Sequence, residues 1–378
     1  MTCYTPLSDN GEIRLLVLQP GQRKDPIQCE LKHVLRSEQP AYDALSYEWG
    51  PEEERPAMRT ILLNQTQHPV RKNLGLALHA LRLTDVTRLL WVDALCINQG
   101  DDLERGYQVA QMGNIYQNAM MVRIWLGQAP RGAEDMITFL ENRGRITFLK
   151  DPDWQSIQWF ATRNATMALL NNSYWERLWI IQEIVLAGEA YIHFGNIVED
   201  WTSSHWALYG NLTSPSLESA PMTGSDLGPT DILLRETLTP FHIMELPVTK
   251  ILWQRANRWQ PEPVANSSLA SLMIEHLSAR CADTRDKAFG LESLAYQCCQ
   301  TAVSVDYSVP LCVLSRQVLE HEIQAHKLDP AGIMKSARLI SSSLCFRDGL
   351  SVKELLVELE SGLHGLESAM NYVPSQDR

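Results

Sequence analysis

The sequence of 378 residues predicts an α/β fold, in which a parallel sheet flanked by helices is followed by a mainly α-helical C-terminal region. The sheet is predicted by residues 89–127, where a strand, a helix and a second strand follow one another, and by further apolar strands on either side. A unit of this length forms a right-handed crossover between parallel strands. The helical region is predicted by apolar residues at spacings of three and four in residues 267–279, 286–295, 311–324 and 352–359.

The first strands are predicted at Glu12–Leu18 and, shorter, at residues 29–35. In YDALSYEWG, residues 42–50, the apolar residues favour a buried strand that ends on Ser46, Tyr47 and Trp49. A strand that ends in hydroxyl and aromatic side chains and a glycine can form one edge of a binding site. The alternative is a tight turn with aromatic residues in the core.

The next segment predicts a hairpin and then a helix. Residues 60–70 have the alternation of a β-hairpin whose turn lies near Asn64 and Gln65, and Asn73 is predicted to cap the helix that follows. Arg71 and Lys72 lie just before that helix. They could meet an anion, but a solvated pair is the favoured interpretation.

The crossover begins with the apolar run of residues 89–95, which favours a strand covered on both faces and interrupted by one charge, Asp93. Asp101 is predicted to cap the next helix, and a second apolar strand ends before Gly127. Asp93 and Asn98 would then lie near the carboxyl edge of the sheet, where open α/β sheets bind ligands.

Residues 172–189 predict a buried helix, with capping-box spacing in SYWE and apolar residues on nearly all sides. Glu183 shares a face of this helix with Trp179, four residues earlier. A carboxylate there either pairs with a buried base or lies in a pocket with a raised pKa. The structural interpretation is a salt bridge to an arginine such as Arg177 or Arg123, and the functional one is a site residue.

Composition along the chain indicates four parts. Residues 1–40 supply lead-in strands, residues 41–212 form the α/β domain, residues 213–265 form a loop or linker region, and residues 266–378 form the mainly helical region. The linker is placed by the richness of residues 213–230 in Ser, Pro, Thr and Gly.

Bulk composition excludes several classes of protein. The net charge of −12 argues against nucleic-acid binding, because phosphate contacts need a basic face. No signal peptide and no membrane span are expected, because no basic segment precedes an apolar one at the N-terminus and no window of 18 uncharged apolar residues exists. The eight cysteines include no C-x-x-C pair, so we expect reduced thiols and a cytoplasmic location.

Familiar catalytic motifs are absent from the sequence. It contains neither the glycine-rich phosphate motifs, nor a G-x-S-x-G elbow, nor H-E-x-x-H. His321 and His326 are five residues apart and off a common helix face, so no metal site is predicted. No cofactor is predicted either.

Three blocks nonetheless resemble the fungal heterokaryon incompatibility (HET) domain: YDALSYEWG, LLWVDALCINQ and ERGYQVAQMGNIYQNAMMVRIWLG. Two later stretches, YWERLWIIQEIVLAG and the pair ADTRDKAFGLESLA and VDYS, look like the downstream blocks of longer members. The departures are few. Val92 stands where isoleucine is commoner, and Gly290 and Glu292 lie in a block that is usually more apolar.

The resemblance implies an intracellular fungal protein of nonself recognition and programmed cell death, with protein partners or self-association. It also implies a distant relation to the TIR fold, a flavodoxin-like parallel sheet. Enzymatic TIR domains cleave NAD with a glutamate four residues after a tryptophan, and Trp179 and Glu183 have this spacing. Glu183 is therefore the candidate catalytic residue. The candidates for binding NAD as a substrate, without a metal, are Ser46, Tyr47, Trp49, Asp93, Asn98 and Trp179.

Three functions follow as hypotheses. The first is an incompatibility factor that acts by assembly and signalling without chemistry of its own. The second is a TIR-like NAD glycohydrolase, in which a carboxylate stabilises the cationic ribosyl transition state. The third is an accessory protein of a fungal secondary-metabolite gene cluster.

Overall fold

The computed structural model describes residues 4–8, 11–50, 59–134, 157–201, 246–258 and 268–326, together with Ser336 and Ile340. The predictions for residues 213–230 and 352–359 lie outside these residues. The chain divides into two compact units. The first consists of Met1–Gln99, Ile115–Trp175 and Ala187–Pro261, and the second of Gly100–Asn114, Glu176–Leu186 and Glu262–Arg378. The four-part division made from the sequence stays a prediction.

The first unit is built on one mixed sheet of nine strands. In chain order these are β1 (Glu12–Leu18), β2 (Gln28–Leu35), β3 (Asp43–Tyr47), β4 (Arg59–Leu63), β5 (Thr66–Val70), β6 (Arg88–Trp91), β7 (Met121–Trp125), β8 (Ala190–Phe194) and β9 (Ile197–Asp200). Their order across the sheet is β5-β4-β2-β1-β6-β3-β7-β8-β9. The α/β class is confirmed.

Only part of the sheet is the parallel sheet expected. Strands β6, β3, β7 and β8 are parallel neighbours. Strand β1 is antiparallel to both β2 and β6, and the hairpins β4–β5 and β8–β9 lie at the two edges. Strand β3 is buried along its whole length, and most residues of its neighbours β7 and β8 are buried as well.

The described residues contain eleven α-helices. They are α1 (Lys72–Leu81), α2 (Asp93–Cys96), α3 (Asp102–Ala110), α4 (Met112–Asn118), α5 (Ile157–Leu170), α6 (Trp179–Val185), α7 (Pro247–Arg258), α8 (Leu269–Glu275), α9 (Asp286–Phe289), α10 (Gln297–Ala302) and α11 (Leu311–His326). Short 3-10 turns lie at Arg36–Glu38, Ser173–Glu176 and Glu292–Leu294. None of the helices in the described part of the chain has both the length and the apolar character to span a bilayer.

The β4–β5 hairpin is confirmed where the sequence predicts it. Asn64 and Gln65 have φ angles of 50° and 64°, so both central residues of the turn are left-handed. Such a two-residue turn matches the twist of the flanking strands, and asparagine adopts this conformation more readily than most residues.

The crossover differs from its prediction at one point. Strand β6 ends at Trp91, and Asp93 is the first residue of α2 rather than a charge inside a strand. The Asp93 carboxylate accepts a hydrogen bond from the backbone nitrogen of Ala94 at 2.7 Å, a local bond that favours a turn over a strand. The cap at Asp101 is confirmed, since its side chain accepts from the backbone nitrogens of Leu103 and Glu104, both at 3.1 Å.

Two helix starts were predicted wrongly. Helix α1 begins at Lys72 with Arg71 in the cap position, so Asn73 is not the cap. The long helix expected from SYWE is a 3-10 turn followed by the seven residues of α6. Between them the backbone pairs with Arg280, which donates to the oxygen of Glu176 and accepts from the nitrogen of Leu178, and these tertiary hydrogen bonds interrupt the helix.

Candidate functional site

The connections of the parallel strands create a topological switch beside β3. The chain leaves β3 for β6 on one side, then returns from β6 to β7 on the other side of β3, and continues outward to β8. The segments that follow β3 and β7 therefore diverge. In open α/β sheets such divergence leaves a crevice at the carboxyl ends of the two strands, which is the usual place for a ligand.

A cavity of about 340 Å³ lies at this crevice. Its walls are four three-residue segments, residues 48–50 after β3, 71–73 at the start of α1, 125–127 at the end of β7 and 172–174, together with Leu76. Gly50 and Gly127 end the two strands with φ angles of +78° and +88°, a conformation that favours glycine. The whole pocket belongs to the first unit.

Asn73 joins the ends of the two strands. Its amide nitrogen donates to the backbone oxygen of Glu48 at 2.6 Å, and its oxygen accepts from the indole nitrogen of Trp125 at 2.8 Å. The residue predicted as a helix cap thus holds the edge of the cavity. Trp125, which is buried, forms part of the wall.

The segment of residues 172–174 makes a matching set of contacts. Asn172 donates to the backbone oxygen of Leu126 at 2.9 Å, and the Ser173 hydroxyl donates to the Glu48 carboxylate at 2.6 Å. The hydroxyl of Tyr174 forms a short hydrogen bond with that of Ser46. These bonds hold the cavity walls in place by side chains from four distant parts of the sequence.

The cavity carries two cations and one carboxylate. Arg71 donates to the backbone oxygen of Gly50 at 2.6 Å, and its guanidinium lies 5.3 Å from the centre of the Trp49 ring. Lys72 is exposed at the start of α1, where no side chain caps the helix. The positive end of the helix dipole adds to both charges, so anions are favoured there.

Of the predicted nucleotide-binding residues that lie in the first unit, some line the cavity and others do not. Trp49 lines the cavity, and its indole nitrogen donates to Asp93 at 2.7 Å, although Asp93 itself is not part of the wall. Ser46 and Tyr47 are buried and do not line the cavity, although Ser46 bonds to Tyr174, which does. Asn98 is half-buried and is not part of the wall.

Glu183 and Trp179 belong to α6, in the second unit. Glu183 is only 3% exposed, as the pattern of the sequence predicts. Trp179 is half-buried, and its indole nitrogen donates to Asp286 at 3.2 Å. Of the arginines considered as partners of Glu183, Arg123 pairs with Asp43 in the first unit, with 2.9 Å between Nε and Oδ2.

The later blocks of the sequence meet in the second unit. The Tyr307 hydroxyl donates to Asp286 at 2.7 Å, and Arg285 pairs with Asp283 at 2.6 Å and donates to the backbone oxygen of Tyr307. The hydrogen bond from Arg285 lowers the pKa of Asp283, whereas burial raises the pKa of Asp286. The network joins ADTRDK and VDYS to Trp179 of the earlier block.

Most of the cavity wall was not predicted as a site. Glu48 and Asn172 had no local motif, Ser173 was interpreted only as part of a capping box, and Arg71 and Lys72 were assigned to solvent. Two features of the sequence could have predicted this cavity. One is the pair of basic residues at a helix start, and the other is a strand that is followed by Glu48, Trp49 and a glycine.

The fold and the site together define an α/β protein with a cavity at the carboxyl ends of parallel strands. Residues 42–183 match the family model described as Heterokaryon incompatibility protein (HET). The chain is also similar to "Heterokaryon incompatibility protein 6, OR allele" of Neurospora crassa, at 27% identity over 226 residues. That similarity covers 48% of this chain and 33% of the relative, so the chain spans about a third of the relative's length. No solved structure matches the chain.

Proposed function

We propose that this chain acts in heterokaryon incompatibility, as a nonself-recognition and cell-death factor that works by assembly and signalling, and that its pocket binds a nucleotide such as NAD. The observation that carries the nucleotide is the position of Arg71 and Lys72 beside Trp49, at the uncapped start of α1 and at the switch point of the sheet. The incompatibility role rests on the HET match and on the Neurospora relative.

The chemistry of the cavity suits a ligand with a flat ring and an anionic group. Two cations and a helix start attract phosphate. Trp49 offers an aromatic ring, and the Arg71 guanidinium lies over it in a cation–π contact. Asn73, Asn172 and Ser173 bring amide and hydroxyl groups that can orient a ribose. A volume of about 340 Å³ lies in the range of small-molecule pockets, roughly 300–1,000 Å³.

The arrangement of the parallel strands supports a TIR-like or flavodoxin-like relationship as part of this proposal. Strands β6, β3, β7 and β8 form a parallel group whose switch point lies at the ligand pocket. Flavodoxin-like sheets also bind their ligand at the switch point of the strand order. The antiparallel strands β1, β2, β4, β5 and β9 lie outside that group.

Binding is tested by calorimetric titration of the full chain with NAD, ADP-ribose and AMP. Lys72→Glu reverses a charge at the cavity wall, and Lys32→Glu is the matched control on β2, where Lys32 is exposed and outside the cavity. We expect Lys72→Glu to weaken binding by about tenfold or more, because two unit charges a few ångströms apart near a surface interact by a few kcal/mol. Absence of binding by all three ligands, or equal weakening by both variants, contradicts the nucleotide proposal.

The cellular role is tested separately by inducible expression in a filamentous fungus. We expect induction of the wild-type chain to reduce viability, Lys72→Glu to restore it, and Lys32→Glu to leave the toxicity unchanged. Immunoblots establish equal protein levels. A stable, abundant wild-type chain without any effect on viability, alone or in fusions between unlike strains, contradicts the incompatibility role whatever the pocket binds.

Cleavage of NAD is a second candidate function, favoured by the buried carboxylate of Glu183 one helical turn after Trp179. Release of nicotinamide from NAD, measured by chromatography at high protein concentration, tests it. Full activity in Glu183→Gln would reject the assignment of Glu183. A thermal melt of the same variant separates the roles, since loss of a structural ion pair costs about 1–3 kcal/mol or more, whereas loss of a site carboxylate is nearly neutral or stabilising.

A further inference from the structure

Four metal-binding side chains meet in the second unit, and none of them belongs to the cavity wall or to the network around Asp286. The ligand atoms of Cys298, Cys299, His321 and His326 all lie within 4.8 Å of one another. The cysteines belong to α10 and the histidines to α11, and these two helices pack together. Among the described residues this is the one group of three or more such ligands with this spacing.

The distances are close to those of a tetrahedral zinc site. The Nε2 atom of His326 lies 3.4 Å from the sulfur of Cys299 and 3.9 Å from that of Cys298. With zinc–sulfur bonds of about 2.3 Å and zinc–nitrogen bonds of about 2.0 Å, sulfur and nitrogen ligands on a tetrahedron are about 3.5 Å apart. The two observed distances bracket this value, so small side-chain movements bring the atoms to coordination geometry.

His321 supplies an independent observation. Its Nε2 atom is buried and has no hydrogen-bond partner among the described residues. A buried polar atom without a partner is costly, and such atoms are rare in proteins. The ring of His321 contacts that of His326 edge to face, with 5.4 Å between the ring centres. Tyr296 stacks on His326, with 5.6 Å between the ring centres. The two imidazoles are therefore held in place beside the thiols.

The helix-face argument against a metal site does not hold in the structure. Residues five apart on an ideal helix point about 140° from each other. His326 is the last residue of α11, where the side chain can turn back along the helix, and the two rings are in contact. The spacing also fits the H-x₃₋₅-H pattern of structural zinc sites, while the adjacent cysteines come from another helix.

We propose that Cys298, Cys299, His321 and His326 bind one zinc ion in a closed, structural site that joins α10 to α11. Each cysteine thiol gives its proton to solvent and its sulfur lone pair to the ion, and each neutral imidazole gives a nitrogen lone pair. Four protein ligands leave no open position for catalysis, and two thiolates balance the charge of the ion.

The test uses the full chain, stripped with a chelator in the presence of a phosphine reductant and then titrated with Zn²⁺ or Co²⁺. We expect one equivalent of zinc by elemental analysis and a rise in melting temperature on its addition. Co²⁺ should give the visible absorption of a tetrahedral site and a thiolate charge-transfer band in the near ultraviolet. These spectra report sulfur ligation in the wild-type protein, so the test does not depend on any variant folding.

Two variants assign the ligands. We expect Cys298→Ser and His326→Gln each to weaken zinc binding by about 100-fold or more, since loss of even an outer-shell partner costs 10- to 100-fold. Cys312→Ser is the matched control, because Cys312 lies on α11 outside the cluster. The proposal is overturned if the reduced wild-type chain takes up no metal, if cobalt shows no thiolate band, or if both ligand variants bind zinc as tightly as Cys312→Ser.

Discussion

His193 provides a quantitative test of how the sheet buries its polar groups. It lies on β8 and is 4% exposed, and its Nε2 atom is 3.5 Å from the guanidinium of Arg123. Burial lowers the pKa of His193 to about 3, and the positive charges of Arg123 and Arg88 add to the effect. Folding therefore requires the neutral imidazole, whose nitrogen accepts from Arg123.

The sign and size of the effect follow from proton linkage. Between pH 6.5 and about 3 the unfolded chain binds a proton at this position and the folded chain does not, so the free energy of unfolding decreases as the pH falls through this window. With an unfolded pKa near 6.5, one such histidine lowers stability by about 2 kcal/mol between pH 7 and pH 5.

The assay is urea unfolding at pH 7 and pH 5 for the wild-type chain and for His193→Gln. Glutamine retains an oxygen that can accept from Arg123, but it does not titrate. We expect the wild-type chain to lose about 2 kcal/mol more than the variant between the two pH values. An equal pH dependence in both proteins would refute the reasoning, because it would mean that His193 binds its proton equally well in the folded state.

Three further substitutions test individual contacts. Asn73→Ala should cost about 1–3 kcal/mol of unfolding free energy in the same urea assay, because the buried indole nitrogen of Trp125 loses its acceptor and the backbone oxygen of Glu48 loses its donor. Gly113→Ala should cost about 1–3 kcal/mol, since an added Cβ would lie 2.4 Å from that of Ser293, and the cost should shrink in a Ser293→Gly background. Asp101→Ala should remove the cap of α3 and cost about 1 kcal/mol, measured by thermal unfolding.

Local signals predicted much of the fold. Strand β1 begins and ends where its apolar run does, and β7, Met121–Trp125, differs by one residue at each end from the strand that the apolar residues 122–126 predict. The Asn64–Gln65 turn and the cap at Asp101 were also predictable, because backbone conformation and capping depend on a few adjacent side chains. Such features need no knowledge of the rest of the chain.

The errors arose where distant segments decide the local structure. The helix predicted from SYWE is interrupted because Arg280, about a hundred residues later, takes the backbone hydrogen bonds of Glu176 and Leu178. Asn73 has the sequence context of a cap, yet it binds Glu48 and Trp125, which only the folded sheet brings to it. The cavity escaped prediction for the same reason, since its four segments are separated by 20 to 50 residues and each alone resembles an ordinary turn or helix start.

The HET match does not coincide with a complete sheet. Its residues, 42–183, include β3 to β7, but β6 pairs with β1 and β7 pairs with β8, and both of these partners lie outside the match. Strand β4 likewise pairs with β2, which precedes the match. A fragment limited to the match would therefore leave three strand edges unpaired, and such edges favour aggregation. The match also ends inside α6, while the partner of Trp179, Asp286, follows about a hundred residues later. The sheet that carries most of the match thus needs the lead-in strands and the β8–β9 hairpin. Within the second unit, the end of the match is bonded to the block around Asp286 and Tyr307.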